Sequence, residues 1–268
     1  MVDSSQFDDL HTGKFFMRVS FISEEGAERK AIEVGFHPIA DEFCMSWNMH
    51  DGTHRMKGLL MVSNFGHCLN DLLCRWQIGA LPIDIVGVVS NHMTYQKVVV
   101  NHDIPFHHSK VTKENKPKAE AQLMHVVEET GTELVVLARY MQILSDAPCQ
   151  KMSRRIINSH HHSCRPSRAR TLQTGFRARR ELIGATAHYV TADLDEGPII
   201  EQDVARITHA RSTEDYVSIG RDVESQVLAR AIHAHITIAP SSIGTNRRFP
   251  GKPPFSPFRN DGLRWPPD

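Results

Sequence analysis

Gly58-Leu59-Leu60-Met61-Val62-Ser63 is followed by the loop Asn64-Phe65-Gly66-His67. Leu69, Leu72, Leu73 and Trp76 come next, and then Pro82-Ile83-Asp84-Ile85-Val86-Gly87-Val88-Val89-Ser90. The outer runs are apolar without alternation, the pattern of strands buried on both faces. The residues between them fall at i, i+3, i+4, i+7 and make a helix with one apolar face. Strand, helix, strand in this order is the βαβ unit of a parallel sheet.

The pattern continues downstream. Ile104-Pro105-Phe106 predicts a short edge strand, and residues 113–131 a helix with Ala119, Leu123, Val126 and Val127 inward. Leu134-Val135-Val136-Leu137-Ala138 and Arg154-Arg155-Ile156-Ile157-Asn158 predict two more strands. Leu182-Ile183-Gly184-Ala185-Thr186-Ala187-His188-Tyr189-Val190 predicts another, joined by the acidic turn Asp193-Leu194-Asp195-Glu196-Gly197-Pro198 to a strand at Ile199-Ile200. A last helix is expected over residues 214–236, with Ser212 as its N-cap and Tyr216, Ile219, Val223, Val227, Ala231 and Ile232 inward. The fold class is therefore α/β: a doubly wound, mostly parallel sheet of Rossmann type. In such sheets ligands bind outside the carboxyl ends of the strands. Ser63, Ser90, Ala138 and Asn158 lie there.

Upstream, Phe15 to Ile22 predicts a strand with Phe15, Met17, Val19 and Phe21 on one buried face. A helix should follow to about Phe43, and residues 44–48 should form another strand. Residues 1–52 are too few for a complete domain. The expected division is a small α+β segment over 1–52, a main domain over 56–236, and a disordered tail over 237–268. That tail holds seven of the fourteen prolines.

Composition narrows the partners. Lysine plus arginine and aspartate plus glutamate both number 31, so the formal charge is zero. Such balance gives no general attraction to nucleic acid or an anionic membrane. No apolar run approaches a membrane span of about 18 residues, and Met1-Val2-Asp3-Ser4-Ser5-Gln6 lacks the features of a signal peptide. Cys44, Cys68, Cys74, Cys149 and Cys164 form no C-x-x-C pair. Reduced thiols and a cytoplasmic location are the expectation.

The residues best placed for chemistry are Asn158 and His160 at one strand end and Asp195 on the later turn. An amide donor, an imidazole and a carboxylate can together polarise a carbonyl, stabilise an oxyanion and activate a nucleophile. His160-His161-His162 invites a metal reading. Neighbours on an extended strand point opposite ways, so three in a row do not readily share one ion, and no metal is expected. The six arginines of residues 163–180 have only Phe176 among them, and at zero net charge this argues against nucleic-acid binding. Phe65-Gly66-His67 before a helix reads either as an anion seat or as a plain structural turn.

Ile157-Asn158-Ser159-His160-His161, Gly184-Ala185-Thr186-Ala187-His188-Tyr189-Val190 and Asp193-Leu194-Asp195-Glu196-Gly197-Pro198-Ile199-Ile200 together resemble the formyltransferase family, which works on 10-formyltetrahydrofolate. Ser63-Asn64-Phe65-Gly66-His67-Cys68-Leu69-Asn70-Asp71-Leu72-Leu73 and Ser90-Asn91-His92 resemble its hydrolytic members, the formyltetrahydrofolate deformylases. The resemblance implies release of formate and tetrahydrofolate, balancing one-carbon units and feeding purine biosynthesis. It implies that Asn158 holds the formyl oxygen and His160 stabilises the oxyanion. Asp195 would orient the attacking water, with His188 facing it. Ala138, Arg139, Tyr140, Met141, Ile143, Leu144, Asp193, Leu194 and Gly197 would line the folate pocket. Folate is then the substrate, with no cofactor.

By the same resemblance, residues 1–52 are the later part of a truncated ACT-like domain, a small regulatory type. That implies an amino-acid effector and a homo-oligomer. After His161 the likeness lapses. His162-Ser163-Cys164-Arg165-Pro166-Ser167-Arg168 is what a GC-rich message for the family loop would give in a shifted frame. A compensated frameshift over about 161–181, and a second after Ile236, are the expectation. The rival readings are a formyltransferase of the same fold, and an inactive remnant or ACT-linked binding protein.

Overall fold

The computed structural model describes residues 2–10, 13–23, 26–49, 51–112, 114–163, 182–192, 196–207 and 212–238. Two units result, one containing residues 1–52 and the other residues 53–239. In the first, β1 (Asp3–Asp9) pairs antiparallel with β2 (Lys14–Ser20), and α1 (Arg29–Glu42) follows. The expected burial of one β2 face is not found. Phe15 and Met17 are about three-fifths exposed, and Val19 and Phe21 are also exposed. Two strands and one helix supply no second layer over that face among the described residues. The strand expected at 44–48 is absent too. Cys44 takes a left-handed φ of 50°, and the Cys44 and Met45 N–H groups turn back to the carbonyls of Asp41 and Ala40. That is a Schellman end to α1. Trp47 then lies edge-on to Phe36, at 5.0 Å between ring centroids.

The second unit runs β3 (Met56–Val62), α2 (His67–Gln77), β4 (Ile83–Ser90), α3 (Gln96–Val100), β5 (Phe106–His108), α4 (Lys116–Thr130), β6 (Leu134–Leu137), α5 (Asp146–Lys151), β7 (Ile156–Ser163), β8 (Leu182–Tyr189), β9 (Ile199–Arg206) and α6 (Thr213–Ile238). The sheet order is β5-β4-β3-β6-β7-β8-β9. The first five strands are parallel, and β8 and β9 add antiparallel. The α/β, mostly parallel expectation stands. The short helices α3 and α5 escaped the sequence reading because each is under two turns and has no apolar period to detect.

Burial explains the unbroken apolar runs. Leu59, Leu60, Met61 and Val62 are fully buried, so both faces of this interior strand are covered. Leu59 and Met61 join Leu123, Val126 and Val127 of α4 with Val135, Leu137 and Ile156 in one core. Each such side chain contributes about 2 kcal/mol by leaving water. The four inward residues expected on α4 are all buried. Pro117 opens that helix and Gly131, at φ 65°, closes it in the left-handed conformation. On α6, Ser212 accepts the Asp215 N–H at 3.1 Å and donates its own N–H to the Asp215 carboxylate at 3.0 Å. This reciprocal cap fulfils the Ser212 expectation. Helix α6 then packs along β7, β8 and β9 and against α2.

Candidate active site

Strand β7 leaves the parallel part of the sheet carrying Ile156, Asn158 and His160 on one face and Ile157, Ser159 and His161 on the other. Asn158 and His160 are half-buried. On β8, His188 lies directly across from Asn158, and His160 pairs with Thr186. The register thus brings the rings of His160 and His188 to 5.2 Å, edge to face. His188 is buried and donates Nδ1–H to the Tyr189 carbonyl at 3.0 Å. That bond selects its tautomer and leaves Nε2 as the acceptor of the neutral ring.

The turn after β8 presses on the same carbonyl. Tyr189 N–H donates to Pro198 O at 3.0 Å. Gly197 packs so closely that a Cβ there would sit 1.6 Å from Tyr189 O and 3.3 Å from His188 Nδ1. Asp193, Leu194 and Asp195 lie outside the described residues, as do residues 164–181 and 239–268.

The loop after β6 begins next to this face, since Leu137 pairs with Asn158 in the parallel register. Ala138 is fully buried and Leu144 belongs to the core, whereas Met141 and Ile143 expose more than half of their surface. Tyr140 packs on that core, and burial first, then the Glu120 charge, push its hydroxyl up to about 12. The loop is pinned by Ser63, whose hydroxyl accepts the Met141 N–H at 3.0 Å and donates to Asn91 Oδ1 at 2.7 Å. Two stretches quoted for the resemblance, at 63 and at 90–92, are thus joined in space. A Cβ at Gly66 would meet the Tyr95 ring at 2.3 Å, so that ring, whose hydroxyl donates to the Asn64 carbonyl, would have to swing aside.

One group was missed by the sequence reading. Glu224 of α6 is completely buried and accepts three hydrogen bonds. His67 Nε2–H reaches its Oε2 at 2.9 Å, His161 Nδ1–H the same oxygen at 3.2 Å, and Arg139 Nη1–H its Oε1 at 3.2 Å. Burial pushes the carboxyl up. The bonds from His161 and His67 and the Arg139 charge outweigh that and hold it down at about 2. Helical periodicity placed position 224 beside an apolar face, and nothing local marked its partners, which lie 63 or more residues away. His67, Cys68 and Glu224 also bring a nitrogen, a sulphur and an oxygen within 4.8 Å of one another. Both carboxylate oxygens are already engaged, which disfavours an ion there.

A second buried pair backs β8. Tyr189 O–H donates to His235 Nδ1 at 2.9 Å. Burial, then the Arg155 charge, lower His235 to about 4, and burial raises Tyr189 to about 12. The unfolded chain therefore binds a proton on His235 near pH 6.5, where the folded chain does not. Stability from this group is complete above pH 6.5 and falls as pH drops toward 4, by about 3 kcal/mol. Glu224 adds a further loss between pH 4.5 and 2. Urea unfolding between pH 7 and pH 4 should show the first decline, and His235→Asn, which keeps an acceptor but cannot titrate, should flatten it. An unchanged slope in the variant would remove His235 as the cause.

With this geometry in view, the comparisons are direct. The formyl transferase family matches residues 56–232, the whole of the sheet and most of α6. The chain belongs to that family. Among its members, the formyltetrahydrofolate deformylase of Corynebacterium sp. (strain P-1) is 42% identical over 238 residues, covering 88% of this chain and 83% of the relative. The crystal structure of formyltetrahydrofolate deformylase from Burkholderia mallei superposes with a TM-score of 0.79 at 44% identity, covering 86% of this chain and 82% of that one. A phosphoribosylglycinamide formyltransferase from Coxiella burnetii shares the fold at a TM-score of 0.62 and 26% identity, over 69% of this chain. This formyl transferase therefore groups with the deformylases, which match it over 86–88% of its length. No helix of the described residues is long and apolar enough to cross a membrane.

Proposed function

We propose that this chain hydrolyses 10-formyltetrahydrofolate to formate and tetrahydrofolate. The observation that carries the reading is the placement of Asn158 and His160 on one face of β7, with His188 across from Asn158, at the carboxyl end of the parallel β6–β7 pairing. The Asn158 amide donates to the formyl oxygen. Water attacks the formyl carbon, and the charge that develops on the oxygen is met by Asn158 and a protonated His160. Asp195 orients that water and takes its proton. The C–N bond then breaks, the nitrogen takes up a proton, and formate leaves. Met141 and Ile143, exposed beside Tyr140, suit the flat, largely apolar face of a pterin. Folate as substrate, no cofactor, an amino-acid effector at residues 1–52 and a homo-oligomer complete the proposal.

The relatives favour hydrolysis over transfer, since the deformylases are 42–44% identical over 86–88% of the chain and the transferase 26% over 69%. The test is formate release from 10-formyltetrahydrofolate, measured with and without an amine acceptor. Equal release in both conditions is the expected result. Formylation of the amine at the expense of formate would favour the transferase reading, and no turnover in either would favour an inactive remnant.

A further inference from the structure

Glu224 sits on α6, far from the reacting groups in sequence and on the other face of the sheet, yet it holds the neighbours of both halves of the site. His161 directly follows His160 on β7, and its side chain is tied to Glu224 Oε2. Arg139 directly precedes Tyr140 and Met141, and its guanidinium is tied to Glu224 Oε1. Among the described residues, Arg139 is also one of four non-glycine residues in the left-handed region, at φ 66°. Such a backbone costs about 1 kcal/mol or more and persists only where surrounding contacts impose it. Its imposed contacts are the Glu224 carboxylate and the Ser63 N–H, which donates to the Arg139 carbonyl at 3.3 Å.

We infer that Glu224 is a positioning residue, whose carboxylate sets His160 through His161 and the folate-facing loop through Arg139. The inference rests on the hydrolase reading for its consequence in turnover, and on geometry alone for its consequence at His160. A strand can rotate or slide only if the side chains on its rear face let go. With His161 hydrogen-bonded to a fully buried carboxylate, the opposite, reacting face of β7 is fixed. The third bond, from His67, ties the start of α2 to the same carboxylate and keeps α6 from shifting along the sheet.

The experiment uses the full chain and Glu224→Gln. This variant keeps the shape and one acceptor but loses the charge shared by three donors. kcat should fall 10- to 100-fold, the range expected when a reacting group moves by up to about 1 Å, with KM changed less than fivefold. The imidazole NMR signals of His160 should move, while the Tyr189 and His235 signals stay in place. If Glu224→Gln does not fold, His161→Asn and His161→Ala decide the matter. The asparagine, which still donates to the carboxylate, should keep kcat within threefold, and the alanine should lose tenfold or more. Lower melting with wild-type turnover per folded molecule, or unmoved His160 signals, overturns the inference. If the unmodified chain releases no formate, the hydrolase reading fails, and the His160 signals still decide whether Glu224 positions that residue.

Discussion

Gly197→Ala is expected to lower formate release at least 100-fold and to destabilise the domain by about 3 kcal/mol or more. The cause is steric. The new Cβ would fall 1.6 Å from the Tyr189 carbonyl oxygen, which is backbone of the buried strand β8 and has no rotamer to change. Either β8 or the turn must move. The strand is held between β7 and β9, and Tyr189 is tied to His235, so the turn is the part that yields. Its displacement breaks the Tyr189 N–H bond to Pro198 and perturbs the carbonyl that orients His188. Steady-state kinetics and urea unfolding measure both effects. Wild-type turnover in Gly197→Ala would show that the turn is not part of the reaction centre.

How much of this was legible beforehand depends on the range of the interaction. The runs at 58–63, 82–90 and 134–138 could be read as strands because a strand buried on both faces needs apolar residues at every position. Ala119, Leu123, Val126 and Val127 could be placed inward because a helix repeats its face every 3.6 residues. Residues 44–48 misled because Phe43, Met45 and Trp47 alternate as a strand would, while a left-handed Cys44, which no local pattern announces, ends α1 instead. Phe15 and Phe21 misled because apolarity was read as burial, and the described residues of that unit offer no covering layer. In the site, Asn158, His160 and His188 were marked by their place at strand ends and by the resemblance. Their register, which sets His188 across from Asn158, needed the antiparallel pairing of β7 and β8. The Glu224 group was invisible, because α2, the loop after β6, β7 and α6 each supply one side chain to it.

Replacing Asn158 with alanine should reduce kcat by about 100- to 1,000-fold, and His160→Ala by a similar factor, with little change in KM. Both groups act where charge appears only in the transition state, so their loss is felt in the barrier and not in ground-state binding. The double variant should lose far less than the product of the two factors. Asn158 and His160 stand two residues apart on one strand face and serve the same developing oxyanion, so once one is gone the other works on a misplaced oxygen. Asn158→Asp gives the sharper test. It preserves size and replaces a donor with an acceptor facing the new negative charge, so it should be at least as damaging as alanine. Removal of His188 should cost less, because its bond to the Tyr189 carbonyl and its ring contact with His160 orient the site without supplying charge to the substrate. If Asn158→Asp and Asn158→Ala raise KM and leave kcat intact, Asn158 binds the folate but does not stabilise the oxyanion, and the assignment of the formyl oxygen to this face of β7 is wrong.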